Sequence, residues 1–224
     1  MLIDLIRIWH EQKFSSQIVD EFVSMLDSSE EMLSYVFKVL LNDIPSDEYQ
    51  EQVYIKDQSI NLREQDIRKR ILIHLSTRPD ANLSACLALI SVSKDAERLG
   101  DYVKNLFELE KHIKGSGCDH ELFRVLFDIT GKDVLGLFNK TSHAFKESDR
   151  DIASEVMTCG RDVAKRCEEI IAKTAESDFS ANQAVVLALG ARYLKRIAIH
   201  LSNIASSVIN PLPEKDYVPS DTPK

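Results

Sequence analysis

Helix-breaking residues are scarce in this chain until its end. The 224 residues include seven glycines and six prolines, and four of the prolines fall within 211–224. A β-sandwich or barrel needs turn residues at roughly every 8–12 positions, and no such spacing is present. Neither of the Gly-rich signatures that cradle phosphates on a strand–helix turn is present. Apolar residues instead recur at helical spacing, as in Ile18, Phe22, Met25, Leu26, Met32, Leu33, Val36, Val39 and Leu40.

This pattern predicts six long helices. They run over 16–41, 47–76, 81–113, 119–147, 149–175 and 180–209. Pro45 and Pro79 mark breaks, Asp80 is the expected cap of the third helix, and Gly115-Ser116-Gly117 ends it. A helix of about 28 residues is a rod of about 42 Å. Loops this short make successive helices antiparallel. The expected fold is all-α, with a first three-helix bundle over 15–114 and a second over 118–210. A short amphipathic segment over 1–14 (Leu2, Leu5, Ile6, Trp9) precedes them, and a Pro-rich tail over 211–224 follows.

The two halves repeat each other. An offset of 98 residues places Leu89 on Leu187, Arg98 on Arg196 and Asn105 on Asn203. It also places Leu99 on Ile197, Val103 on Leu201 and Leu106 on Ile204. The uncharged stretches Ala81–Ser93 and Phe179–Ala191 coincide under the same offset. Shared identities on a shared apolar stripe point to an internal repeat.

Charge and cysteines narrow the function. The formal net charge is −8, so a phosphate backbone would release no counterions in favour of binding, and nucleic acid is not an expected partner. A helical repressor would carry a basic reading helix near its start. Residues 1–45 instead hold eight acids against three bases. The uncharged stretches are too short to span a bilayer. Residues 1–10 carry Asp4 and Arg7 without a small-residue cleavage site, unlike a signal peptide. Cys86, Cys118, Cys159 and Cys167 form no CxxC pair and read as reduced thiols in a cytoplasm. None of the six histidines follows a glutamate by three residues, so the Glu-x-x-His motif of di-iron bundles is absent. His112, Cys118, Asp119 and His120 flank the glycine break and read mainly as solvated loop residues. No serine or cysteine has a recognisable nucleophile setting.

The third helix carries an acidic line. Its apolar stripe is Val92, Ala96, Leu99, Val103 and Leu106. Glu97, Asp101 and Glu108 fall roughly opposite that stripe, with Lys104 beside them, and are expected on the outer face. Glu97 and Asp101 are an i, i+4 like-charge pair, which costs a helix about 0.2–0.5 kcal/mol. Two readings stand. The carboxylates hold a hard cation through oxygen, or they form a solvated face neutralised by Lys94, Arg98 and Lys104.

The stretch from Lys94 to Glu108, KDAERLGDYVKNLFE, resembles the signature of the PhoU family, cytoplasmic regulators of bacterial phosphate uptake. Pro79-Asp80-Ala81-Asn82-Leu83 is similar to that family's entry into the motif helix. Asp57-Gln58-Ser59-Ile60-Asn61 is similar to its D-x-x-I-N segment on the preceding helix. The resemblance runs from about residue 16 to 209. It implies two pseudo-symmetric three-helix bundles and no catalysis. The partners it implies are a phosphate transporter, met through its ATPase component or permease, and a membrane sensor kinase. It also implies a metal role for Glu97 and Asp101, joined by Asp57, with a divalent or iron-type ion. The implied location is the cytoplasm, at the inner face of the membrane through a partner. The flat faces of such bundles allow a homodimer, although no residue specifies one.

The second half departs from this pattern. Lys195 stands opposite Glu97, Ile199 opposite Asp101, and Gly160 and Ala164 where acids belong on the fifth helix. Lysine in place of a carboxylate replaces a cation ligand with a cation. Metal is therefore expected at the first repeat only. His200, opposite Tyr102, keeps the family pattern. The alternatives are a helical-bundle adaptor without a phosphate role and a small-molecule-binding helical enzyme.

Overall fold

The computed structural model describes residues 13–42, 44–78, 81–113 and 120–210. The amphipathic segment up to residue 12 (with Trp9 and His10), the glycine break with Cys118, and the Pro-rich tail lie outside them. Among the described residues there is no strand. Six long helices follow in order: α1 (Lys13–Asn42), α2 (Gln50–Thr77), α3 (Leu83–Glu108), α4 (His120–Glu147), α5 (Arg150–Ala175) and α6 (Ala181–Ile209). A 3-10 turn, Ser46–Glu48, leads into α2, and a one-turn helix, Glu110–Ile113, follows α3.

The ends follow local chemistry. Asp149 accepts from the backbone of Asp151 and Ile152, both at 2.9 Å, and starts α5. Ser180 and Gln183 form a reciprocal capping box at α6. Two expected ends are corrected. The cap of α3 is Asn82, whose side chain accepts from Ala85 N at 3.1 Å. The third helix also does not run unbroken to Ile113. At Leu109 the backbone N–H turns to Leu106 O, 3.3 Å away, and the chain restarts as the Glu110–Ile113 turn. The i→i−3 bond tightens the last turn and re-aims the chain.

All nine apolar residues expected on the first stripe are buried, as are Val92, Ala96, Leu99, Val103 and Leu106 of α3. Their counterparts Ile197, Leu201 and Ile204 on α6 are buried too. α1, α2 and α3 pack on one another, and so do α4, α5 and α6. The bundles then meet through α1 against α4 and α3 against α6. Phe22 of α1 and Phe145 of α4 sit with ring centroids 4.4 Å apart, across this junction. The buried apolar side chains form one continuous cluster through both bundles. α2 and α5 cover the outer sides.

Candidate functional site

The acidic line of α3 is only partly open to solvent. Beside this line α3 meets α2, through Gly100, Lys104 and Glu108. The side chains of Glu97, Asp101 and Glu108 are 14%, 28% and 37% exposed. Gly100 of the E-R-L-G-D run explains the close approach. A Cβ there would lie 3.1 Å from Ile60 Cδ1 and 3.8 Å from Asp57 Oδ1 on α2. Glycine at this position lets the two helices draw together and brings Asp57 against the motif.

Asp57 is buried, and its partner is Lys104. Lys104 Nζ donates to Asp57 Oδ2 at 2.6 Å and lies 3.8 Å from Asp101 Oδ1. Asp101 is also 3.6 Å from Arg98 Nη1. Glu97 Oε1 pairs with Lys94 Nζ at 2.8 Å, while its buried Oε2 accepts no hydrogen bond. At the far end of the line Tyr54 of α2 donates to Glu108, which also faces Lys111 Nζ at 3.8 Å. The seam is thus a row of alternating charges, made by α3 alone on one side and closed by Asp57 and Tyr54 from α2.

The electrostatics follow from this packing. Burial raises the Asp101 carboxyl above its ordinary range, and the charge of Glu97 beside it adds to the rise. Burial works to lower the Lys104 ammonium. The Asp57 hydrogen bond and the charges of Asp57, Asp101 and Glu108 outweigh that and raise it, so Lys104 is held charged. The structure therefore brings Asp57, Glu97 and Asp101 to one seam, as the sequence resemblance implies. It also puts an ammonium between Asp57 and Asp101. Among the described residues no three His, Cys, Asp or Glu side chains converge so as to hold a metal ion. Glu97 Oε2 accepts no hydrogen bond but already faces a cation, Arg98 Nε at 3.8 Å, and the arrangement around Lys104 does not fit a metal coordinated by all three carboxylates.

Lys104 is the residue that sequence reasoning undervalued. Its spacing held the signal. It follows Asp101 by three residues and Glu97 by seven, so acid, acid and base share one helix face.

The second repeat has a different seam. Lys195 of α6 pairs with Glu168 of α5. Gly160 of α5 abuts Ser202 and Ala198 of α6. The 98-residue offset places Ser202 on Lys104, so the Gly160–Ser202 contact stands where Asp57 meets Lys104. Asp57, Glu97, Asp101 and Lys104 are thus matched by Gly160, Lys195, Ile199 and Ser202. The thiols of Cys86, Cys159 and Cys167 are free.

The PhoU domain family model matches residues 22–109 and 129–208, stretches that fall on α1–α3 and α4–α6. The chain belongs to the PhoU family. It is 26% identical over 199 residues to the phosphate-specific transport system accessory protein PhoU homolog 1 of Thermotoga maritima, covering 87% of this chain and 79% of that protein. Its fold is similar to that of crystalline PhoU from Pseudomonas aeruginosa, with a TM-score of 0.76 and 22% identity over 88% of this chain and 96% of that one. The phosphate transport system regulatory protein PhoU from Streptococcus pneumoniae gives a TM-score of 0.75 at 17% identity, over 88% of this chain and 93% of that one. Within the described residues of this PhoU-family chain, no helix is long and apolar enough to cross a membrane.

Proposed function

We propose that this protein is a non-enzymatic regulator of phosphate uptake. It acts by contact with a phosphate transporter, through the ATPase component or permease, and with a membrane sensor kinase. It works in the cytoplasm and reaches the inner face of the membrane through those partners. The observation that carries this reading is the family match over both repeats, with Glu97-Arg98-Leu99-Gly100-Asp101 set at the α2–α3 seam. The related Thermotoga maritima protein is named for a phosphate-specific transport system, which supports the choice of transporter. The charged side chains of the seam engage one another rather than line a reaction site, which favours a contact role over catalysis. No step of this role is assigned to a metal ion, because Lys104 stands between Asp57 and Asp101.

Deletion of the gene, with phosphate uptake and phosphate-dependent kinase signalling as readouts, tests the role. Altered uptake or signalling, restored by the wild-type gene, is the expected result. Unchanged uptake and signalling would favour the adaptor reading instead. Crosslinking and co-purification of the tagged protein from its own cells, with transporter or kinase subunits recovered, identifies the partner.

A further inference from the structure

We infer that Lys104 is a tethered cation standing in place of a divalent metal between Asp57 and Asp101, so that the first repeat holds this part of its acidic seam together without one. Asp57 is a buried carboxylate, and a buried charge left without a partner is strongly destabilising. Lys104 supplies that partner at 2.6 Å and reaches toward Asp101 at 3.8 Å. A divalent ion shared by these carboxylates would sit about 2.0–2.6 Å from their oxygens. Nζ, on Asp57 at 2.6 Å and 3.8 Å from Asp101, stands between the two carboxylates that such an ion would have to bridge, so its volume and its charge both oppose a metal there.

The second repeat carries an independent parallel. There Lys195, again on the third helix, pairs with Glu168 on the middle helix. The two lysines are not equivalent positions. The 98-residue offset places Lys104 on Ser202 and Lys195 on Glu97. Each repeat thus pairs a lysine of its third helix with a carboxylate of its middle helix, at positions that do not correspond. This inference concerns how the seam is neutralised and stands apart from the phosphate role, so deletion phenotypes do not bear on it.

The test uses the full chain purified without chelators. Thermal unfolding of the wild type is recorded with EDTA, with Mn²⁺ and with Zn²⁺, and Mn²⁺ uptake is followed by equilibrium dialysis. The wild-type midpoint is expected to be the same in all three conditions. Lys104→Gln, which leaves the carboxylates in place, is expected to take up Mn²⁺ on the order of 10- to 100-fold more tightly than the wild type. Lys104→Arg keeps the charge and is expected to stay as metal-poor as the wild type. Asp57→Asn added to Lys104→Gln is expected to abolish the gain. Stoichiometric uptake by the wild type that is lost in Asp57→Asn would overturn the inference, as would Lys104→Gln binding no more tightly than the wild type. If Lys104→Gln does not fold, the wild type alone decides. Indifference to metal and chelator supports the tethered cation, and a metal-raised midpoint overturns it.

Discussion

His200 Nδ1 on α6 lies 2.7 Å from Asp95 Oδ1 on α3, and this contact crosses between the two bundles. The 98-residue offset turns Asp95 into Tyr193 and His200 into Tyr102. Tyr102 and Tyr193 do meet, with ring centroids 6.3 Å apart, and Tyr102 also stacks on His200 at 5.5 Å. The four residues thus sit about the pseudo-two-fold axis of the repeat, where α3 and α6 run antiparallel. One of the two symmetry-related contacts is polar and the other aromatic.

Both side chains of the polar pair are mostly buried, at 15% and 19% exposure. Removing one leaves the other without its partner. Asp95→Ala and His200→Ala are each expected to cost about 1–3 kcal/mol. The double variant is expected to lose less than the two singles together, by roughly 0.5 kcal/mol or more. Urea unfolding of the four proteins measures the cycle. Strict additivity would mean that the contact does not couple the two bundles.

Glu30 of α1 accepts from Asn139 Nδ2 of α4 at 2.7 Å, also between the bundles. Burial raises its pKa above the ordinary 4.5, a rise that the Asn139 hydrogen bond only partly offsets and the charge of Asp27 adds to. A raised folded pKa means that the folded state binds this proton more readily than the unfolded state. The group therefore favours folding most at low pH, and that contribution is lost as pH rises through the raised value. Glu30→Gln keeps an acceptor for Asn139 without the charge. It is expected to be more stable than the parent at neutral pH, with the difference shrinking as pH falls toward 4.5. Denaturant midpoints of both proteins across that range check the sign.

How much of this was legible from residues alone differs by level. Each apolar residue assigned to the stripes of α1 and α3 is buried, because a helical stripe reports one face of one helix. The outer face given to Glu97 and Asp101 is half-covered, at 14% and 28% exposure, which a stripe alone does not reveal. A helical wheel knows the face opposite a stripe but not how closely a neighbouring helix edges it. Gly100 was the residue that could have told, since a mid-helix glycine costs stability unless close approach needs it. The break at Leu109 left no trace in the spacing, because an i→i−3 turn needs no special residue. The Asp95–His200 pair is separated by 105 residues, and only the repeat offset places its two ends near one axis.

Burial pushes the Cys167 thiol up to about 12, despite the opposing charges of Arg166 and Lys195 nearby. Burial raises Cys159 as well, and it is only partly covered. The thiolate is the reactive form, so Cys167 is expected to resist alkylation in the native protein at neutral pH. It is expected to react fully once the chain is unfolded. Mass spectrometry after native and denaturing iodoacetamide treatment separates the two states. Native modification of Cys167 on the same timescale as a free thiol would show that α5 opens locally around it.

Two helical glycines are expected to respond to alanine in opposite directions. At Gly136 of α4 an added Cβ meets nothing within 4 Å. Gly136→Ala therefore gains helix propensity without a clash, and a stabilisation of about 0.4–1 kcal/mol is expected. At Gly160 of α5 the Cβ would come to 2.1 Å from Ser202 Oγ and 3.2 Å from the Ala198 carbonyl oxygen on α6. Ser202 Oγ is itself held on Ala198 O at 2.9 Å, so relief requires breaking that bond or moving a helix. Overpacking of this kind costs about 1–3 kcal/mol, more than the propensity gained, and a net loss of about 1–2 kcal/mol is expected. Adding Ser202→Ala removes the nearer clash and should recover part of the loss, while the carbonyl contact keeps the rest. Thermal midpoints of the three variants against the parent decide the matter. A Gly160→Ala protein as stable as the parent would mean that α5 and α6 are free to part there, and that the close seam replacing the Asp57–Lys104 contact in the second repeat is not required by the fold.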